Sequence, residues 1–100
     1  MRLKDLRPGM ENVGLIVKVL RLDDSKRVET NYGVTHTIVE GMIEDESEKM
    51  KLTVWNELIP LLKQIGVKIG DNVELKNCFI TSFKGDLSVN VGRGSEIIAR

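Results

Sequence analysis

The chain is 100 residues long, with 41% hydrophobic and 30% charged residues. This length is typical of one small domain, and we expect a single domain over residues 1–100. The composition excludes a disordered tail, and no apolar run approaches the roughly 20 residues that a membrane helix needs. No apolar stretch follows Met1, so we expect no signal peptide, no membrane partner and a cytoplasmic location. The single cysteine, Cys78, excludes an intrachain disulfide and a cysteine-based zinc site.

Basic and acidic residues are equal in number, 15 of each, which by itself argues against a nucleic-acid-binding protein. The distribution weakens this objection, because nine consecutive residues hold five acids and no base, at Glu40, Glu44, Asp45, Glu46 and Glu48. The rest of the chain holds 15 basic and 10 acidic residues. A basic face opposite an acidic edge is therefore compatible with zero net charge.

The first part of the chain predicts a long strand and a hairpin. Residues 13–22 are dense in Val, Leu and Ile, and Gly14 among them marks a bulge or a tight bend. After a turn at 23–25, the segments 27–30 and 34–43 predict two paired strands, with Tyr32 at the tip of the turn between them. Residues 44–48 form a polar turn, which is either solvated or a docking patch for a basic partner.

The segment 50–55 has the clearest alternation. Met50, Leu52 and Val54 alternate with Lys51, Thr53 and Trp55, so a period of two residues places the first three in the core and the other three on the outer face. Residues 56–65 then have apolar residues at helical spacing. We expect a short helix there, capped by Asn56, with Pro60 in its first turn and its end at Gly66 or Gly70.

Residues 72–83 predict another strand, in which the alternation changes phase. A bulge near Asn77 explains this, because one extra residue reverses the two faces. Phe79, Thr81 and Phe83 then lie on the outer face, while Cys78 and Ile80 point inward. In the next strand Leu87, Val89 and Val91 face the core, Ser88 and Asn90 face outward, and residues 95–99 add a last short strand.

The element order is three strands, one helix and two strands, with a long glycine-bearing first strand. This order predicts an all-β domain with one short helix, a five-stranded Greek-key OB-fold barrel. A small SH3-like barrel is the alternative, although that fold usually lacks the helix.

Trp55, Phe79 and Phe83 leave the aliphatic core on this interpretation. Exposed rings near Lys51 and Lys84 are typical of a surface that binds single-stranded nucleic acid, since bases stack on the rings and cations follow the phosphates. The alternative is that the rings cover the ends of the barrel or pack under a loop. A bulge displaced by one residue would bury both phenylalanines.

The other reactive residue types do not form a catalytic or metal-binding set. His36 is the only histidine and has no partners at metal-ligand spacing, so it is either an exposed strand residue or a nucleic-acid contact. Cys78 is expected to be a buried, small apolar residue. Arg93 is either a surface residue or a contact to the phosphate backbone. With no nucleophile–histidine arrangement and no paired carboxylates, we expect no enzyme, no metal and no cofactor.

Four segments together resemble a known family: LRPGMENV at 6–13, KLTVW at 51–55, NCFITSFKG at 77–85 and VGRG at 91–94. They are similar to the OB domain of archaeal single-stranded DNA-binding proteins. This group includes crenarchaeal single-OB proteins, the OB modules of archaeal replication protein A and the related B subunit of the SOSS complex. The likeness covers nearly the whole chain in order.

The resemblance implies that Trp55, Phe79 and Phe83 stack on bases. It also matches Lys84 and Arg93 to family positions near the DNA. His36 and Thr37 stand where relatives carry an Arg-Thr pair, which is a departure from the family pattern. The Gly/Arg-rich or acidic tail of single-OB relatives is absent, so one module of a longer replication protein A is an alternative to a one-domain protein.

These observations predict sequence-independent binding of single-stranded DNA in replication, recombination or repair, together with other replication or repair proteins. The expected phosphate and polar contacts are Lys51, Lys84, Arg93, Arg27, His36, Thr53 and Asn90. An RNA-binding OB module and a protein-interaction OB domain are the alternatives. Near-neutral charge predicts few phosphate contacts and a shallow salt dependence.

Overall fold

The computed structural model describes all 100 residues. Its strands are β1 (Val13–Leu22), β2 (Lys26–Glu29), β3 (Thr35–Glu44), β4 (Lys49–Trp55), β5 (Asn72–Phe83), β6 (Asp86–Val91) and β7 (Glu96–Ala99). The helix α1 covers Ile59–Gln64, and 3₁₀ helices cover Leu3–Asp5 and Asn56–Leu58. The predicted bounds of β1 and β5 are confirmed, and the other predicted strands are correct to within a residue or two.

Five of the strands close into one sheet. β1 pairs with β3, β3 with β4, β6 lies between β4 and β5, and β5 returns to β1. The β4–β6 pair is parallel, which requires a long connection, and α1 with β5 supplies it. β2 extends β3 as a hairpin, and β7 adds to β5. A closed sheet of five strands, with the helix between the third and fourth of them, is the predicted OB-fold.

The interior of the sheet is aliphatic. Nineteen buried residues form one cluster that contains no aromatic ring. Met50, Leu52 and Val54 belong to it, as the alternation in β4 predicts. Cys78 is buried in this cluster, and burial raises the pKa of its thiol to about 12. Because the thiolate is the reactive form, Cys78 has a packing role, as expected.

One bulge interrupts the pairing of β1 with β5. Val13 pairs with Cys78 and Leu15 with Leu75, so β5 carries the extra residue. Asn77 takes a left-handed backbone conformation there, with φ of 56°, and its side-chain amide donates to the Gly94 carbonyl at 3.1 Å. The predicted bulge at Asn77 is confirmed. Gly14 lies opposite this bulge and is not itself the extra residue, which refines the expectation for that glycine.

The helix after β4 begins differently from the prediction. Asn56 does not cap it, because the Asn56 side chain turns back to accept the Thr37 backbone N–H at 2.9 Å. The residue has a positive φ of 35°, and a 3₁₀ turn leads into α1. Pro60 lies in the first turn of α1 as predicted, where no backbone N–H is needed. Gly66, with φ of 71°, follows the last turn.

The acidic turn after β3 is partly structural. Asp45 accepts hydrogen bonds from the Leu3 backbone N–H at 2.8 Å and from the Ser47 hydroxyl at 2.6 Å. Partial burial opposes its ionisation, but these bonds and those from the Ser47 and Glu48 N–H groups outweigh it and lower the pKa of Asp45. The expectation of a solvated turn is therefore wrong for Asp45, whose hydrogen bond with Leu3 connects the N-terminal segment to the end of β3.

No helix in the structure has the length and apolar character that crossing a bilayer requires. The structure also brings together no group of three or more His, Cys, Asp or Glu side chains able to hold a metal ion.

Candidate nucleic-acid interface

Three of the four aromatic rings lie on one outer side of the closed sheet. We call the outer surface of β3, β4, β6 and β5 the aromatic face. Its two central rows, in that strand order, are Glu40–Thr53–Asn90–Phe79 and Met42–Lys51–Ser88–Thr81. Ile38 pairs with Trp55 at one end of the face, and Phe83 pairs with Asp86 at the other. The predicted outward positions of Trp55, Phe79 and Phe83 are therefore the observed ones.

Trp55 is held from two sides. Its indole N–H donates to the Asn90 side-chain oxygen at 3.0 Å. The His36 ring meets it edge-on, with centroids 5.5 Å apart and planes at 85°. The ring is neither fully exposed nor part of the aliphatic core. This arrangement gives the indole a defined orientation before any ligand binds.

His36 is itself oriented by a hydrogen bond. The Thr37 N–H donates to Asn56 Oδ1, which points the Asn56 Nδ2 group at His36 Nδ1, 2.9 Å away. Because Nδ2 only donates, Nδ1 must accept, and the proton of the neutral ring sits on Nε2. Of the two alternatives for His36, the exposed strand residue is wrong, because His36 is half-buried and supports Trp55; its contact with nucleic acid stays a prediction. The sequence offered no signal for Asn56 in this role, since the contact joins residues 20 positions apart.

Asn90 and Thr53 are on the predicted side of the sheet, but the expectation that they are exposed is wrong. Asn90 is 3% exposed and Thr53 6%. The Asn90 amide nitrogen lies within hydrogen-bond distance of the Phe79 carbonyl and the Thr81 hydroxyl, and Thr53 bonds to Ser88. Both side chains are short and lie on inner strands of the sheet, Thr53 between Glu40 and Asn90, and Asn90 between Thr53 and Phe79. They form a buried polar layer beneath the rings.

Phe79 and Trp55 stand on either side of Gly92. A side-chain carbon added at Gly92 would lie 3.4 Å from the Phe79 ring and 3.9 Å from Trp55 Cβ. The absence of a side chain at Gly92 therefore leaves the edge of the Phe79 ring uncovered at this point. Phe79 is partly buried, like Trp55.

Phe83 is the most exposed of the three rings, at 74%. Four residues along one strand separate it from Phe79, about 13 Å. The Lys84 ammonium lies 5.4 Å from the centre of its ring, within the range of a cation–π contact. Lys84 occupies the turn between β5 and β6 with a positive φ of 53°.

Glu40 lies on β3, the strand at one side of the aromatic face, between two lysines. Its two carboxylate oxygens pair separately with Lys26 and Lys51, each at 2.5 Å. Hydrogen bonds from Lys26 and Lys51 lower the pKa of Glu40, although partial burial opposes this. Lys26 was not predicted as a site residue. The hairpin register places it opposite Ile38 on the aromatic face, whereas Arg27 pairs with Thr37 and points to the other side of the hairpin.

The remaining candidates lie at the margins. The Arg93 side chain is 95% exposed and pairs loosely with Glu57 at 3.7 Å. Tyr32 is 92% exposed at the tip of the β2–β3 hairpin. The structure thus brings together Trp55, Phe79 and Phe83 with Lys51 and His36, and leaves Arg27 away from them.

Fold and face define the class: this is an OB-fold domain with an outward row of aromatic rings above a buried polar layer. The family model described as "Single-stranded DNA binding protein Ssb-like, OB fold" matches residues 6–98. The chain is 33% identical over 93 residues to the single-stranded DNA binding protein Ssb of Saccharolobus solfataricus. That alignment covers 93% of this chain and 59% of the relative, so the chain spans about three fifths of its length.

Solved structures agree on the fold. The replication factor A related protein from Methanobacterium thermoautotrophicum superposes with a TM-score of 0.82 at 21% identity, covering all of this chain and 89% of that one. A chain of a replication protein A heterotrimer bound to single-stranded DNA gives 0.78 at 11% identity, covering all of this chain and 24% of that one. The protein belongs to the Ssb-like family of OB-fold single-stranded DNA-binding proteins.

Proposed function

We propose that this domain binds single-stranded DNA without sequence preference, by stacking bases on Trp55, Phe79 and Phe83. The observation that supports this most directly is the alignment of the three rings on one face of the sheet, with Trp55 oriented in advance by Asn90 and His36. Every base has a face on which an aromatic ring can stack, so such a surface does not discriminate between bases. The domain has no catalytic role in this proposal.

Cations beside the rings would follow the phosphates. Lys51 lies on the aromatic face, Lys84 lies beside Phe83, and Arg93, next to Gly92, is exposed and only loosely paired with Glu57. Arg27 would reach a phosphate only if the strand passes around the β2–β3 hairpin. With so few cations on the face, we expect a shallow salt dependence, about −0.7 in log–log slope for each phosphate neutralised.

The same surface would serve DNA replication, recombination or repair, in which unpaired strands are exposed. We infer that the domain acts in the cytoplasm together with other replication or repair proteins, and with further OB modules where the full protein has them. Similarity to the Saccharolobus single-stranded DNA binding protein and to a chain of replication protein A supports the part of this inference that concerns DNA replication.

Titration with oligo-dT tests the proposal, because Trp55 is the only tryptophan and its fluorescence reports on the face directly. We expect quenching at low salt that saturates. The double variant F79A/F83A should bind more weakly while keeping the same reporter. Ile16→Ala, a change at an exposed apolar residue of β1 outside the aromatic face, is the control and should bind like the wild type. A folded protein that shows no quenching would contradict the proposal.

Competition separates DNA from the alternatives. Unlabelled RNA of equal length should displace oligo-dT less well than DNA does. If RNA displaces it at lower concentration, RNA is the ligand. If neither binds and the triple variant W55A/F79A/F83A loses a protein partner that the wild type captures, the face is a protein-interaction surface.

A further inference from the structure

We propose that Glu40 competes with the DNA phosphates for Lys26 and Lys51. By pairing with both lysines, Glu40 lowers the affinity of the domain for single-stranded DNA and makes that affinity less dependent on salt. This inference rests on the proposed function and adds a residue that tunes it. Glu40 lies on β3, at the end of the row that also contains Thr53, Asn90 and Phe79, and so at the margin of the surface that the bases would cover.

The geometry makes Glu40 a substitute for a phosphate. Each of its two carboxylate oxygens pairs with a different lysine, as two oxygens of one phosphate group would. The Glu40 side chain is 20% exposed, against 56% for Lys26 and 46% for Lys51. The carboxylate is therefore anchored while both ammonium groups remain open to solvent. A phosphate can reach the lysines without any movement of the sheet.

The charges explain the expected effect. Two ammonium groups and one carboxylate leave a local charge of +1, whereas the lysines alone would present +2. Ion pairs between partly exposed side chains are weak and exchange readily. A phosphate that displaces Glu40 therefore pairs with the two lysines, but it is repelled by the negative charge of the Glu40 carboxylate nearby. That carboxylate is ionised at neutral pH even without the lysines, because the ordinary pKa of a glutamate is 4.5.

The contribution of Glu40 is visible only from the tertiary structure. In the sequence Glu40 is the first of the five acids within residues 40–48, and its separation of 14 and 11 positions from Lys26 and Lys51 does not indicate an ion pair. The β2–β3 and β3–β4 registers bring the three side chains together. A second glutamate paired with a cation, Glu74 with Arg100, lies away from the aromatic face, on the part of β5 that pairs with β1 and β7.

Glu40→Gln is the direct test, because it keeps the shape and removes the charge. If one further phosphate is neutralised, the slope of log K against log salt becomes steeper by about 0.7. With equal affinities at 1 M salt, this means about eightfold tighter binding of oligo-dT at 0.05 M salt and less than about twofold at 0.5 M. Unchanged or weaker binding at 0.05 M would overturn the proposal and indicate that Glu40 aligns the lysines for DNA instead.

Two controls isolate the effect. Glu74→Gln removes one negative charge and frees Arg100, and it should change the affinity less than twofold at either salt concentration. In a K26M/K51M background, E40Q should no longer tighten binding. If it tightens binding there by the same factor as in the wild type, the gain comes from net charge and the proposal fails.

The wild-type protein offers a readout that needs no variant. The ¹³C resonance of the Glu40 carboxylate should shift when oligo-dT binds, because its lysines leave it, and the Glu74 resonance should not. A Glu40 resonance that is unchanged by saturating DNA overturns the proposal. A protein that binds no DNA at all would instead reject the proposed function, so the two failures are distinguishable.

Discussion

The two ends of the aromatic face differ in how firmly their rings are held. At one end, Trp55 donates to buried Asn90, meets His36 edge-on and lies next to Gly92. At the other end, Phe83 is 74% exposed and has only the Lys84 ammonium over it. A ring that is already oriented loses less conformational freedom when a base stacks on it. We therefore expect the two rings to contribute unequally to the binding free energy, with the larger contribution from Trp55.

Trp55→Ala should have the largest effect on binding. Loss of one stacking ring costs about 1–3 kcal/mol, and we expect the upper part of that range here because the indole is pre-oriented, a loss of about 30- to 100-fold in affinity. Fluorescence anisotropy with labelled oligo-dT measures it. Circular dichroism should show an intact fold, since Trp55 lies outside the aliphatic core. An unfolded variant would show that the indole is a core residue.

Asn90→Ala tests whether the buried polar layer beneath the rings fixes the orientation of Trp55. The change leaves the partly buried indole N–H of Trp55 without its acceptor, and an unsatisfied buried group costs about 1–3 kcal/mol. We expect urea unfolding to show a loss of stability in that range, with a loss of DNA affinity smaller than for W55A. The exposed Asn72 at the start of β5 offers the matched control, and Asn72→Ala should change neither quantity appreciably.

Phe83→Ala should weaken binding least among the ring changes. We expect about 1 kcal/mol, roughly a fivefold loss, because Phe83 must be ordered on binding. Stability should not change, since the ring packs against little besides Lys84. If F83A costs as much affinity as W55A, the comparison between the two ends is wrong and pre-orientation has no energetic role.

The smallest expected effect is a change in the stability of the protein at low pH, and it involves Asp45, which lies away from both ends of the aromatic face. Asp45 has a lowered pKa in the folded protein, so its contribution to stability is present above the ordinary value of 3.8 and is lost as the pH falls through the lower folded value. In Asp45→Asn this acid-dependent part of the stability should be absent, as thermal unfolding between pH 5 and pH 2 would show. The ratio of the W55A and F83A effects at pH 7 should stay the same in this background. A changed ratio would connect the N-terminal segment to the face.

Much of the fold followed from local patterns. Period-two alternation in residues 50–55, and the change of phase near Asn77, correctly placed Trp55, Phe79 and Phe83 outside the core. The bounds of β1 and β5 followed from dense β-branched and aliphatic residues. The role of Asn56 could not be predicted from the sequence. An asparagine at this position can cap the next helical turn or accept the Thr37 N–H, and the position of β3 determines which hydrogen bond forms.

The sequence by itself determined which side chains point inward and which outward, because strand alternation is a property of consecutive residues. The tertiary structure alone decided which outward side chains are covered and which charges meet. Asn90 is buried because β6 lies between β4 and β5, Thr53 because β4 lies between β3 and β6, and Glu40 meets Lys26 through the β2–β3 register. Both outcomes depend on which segments pair across the sheet. These segments are far apart in the sequence, so local patterns of residues do not predict them.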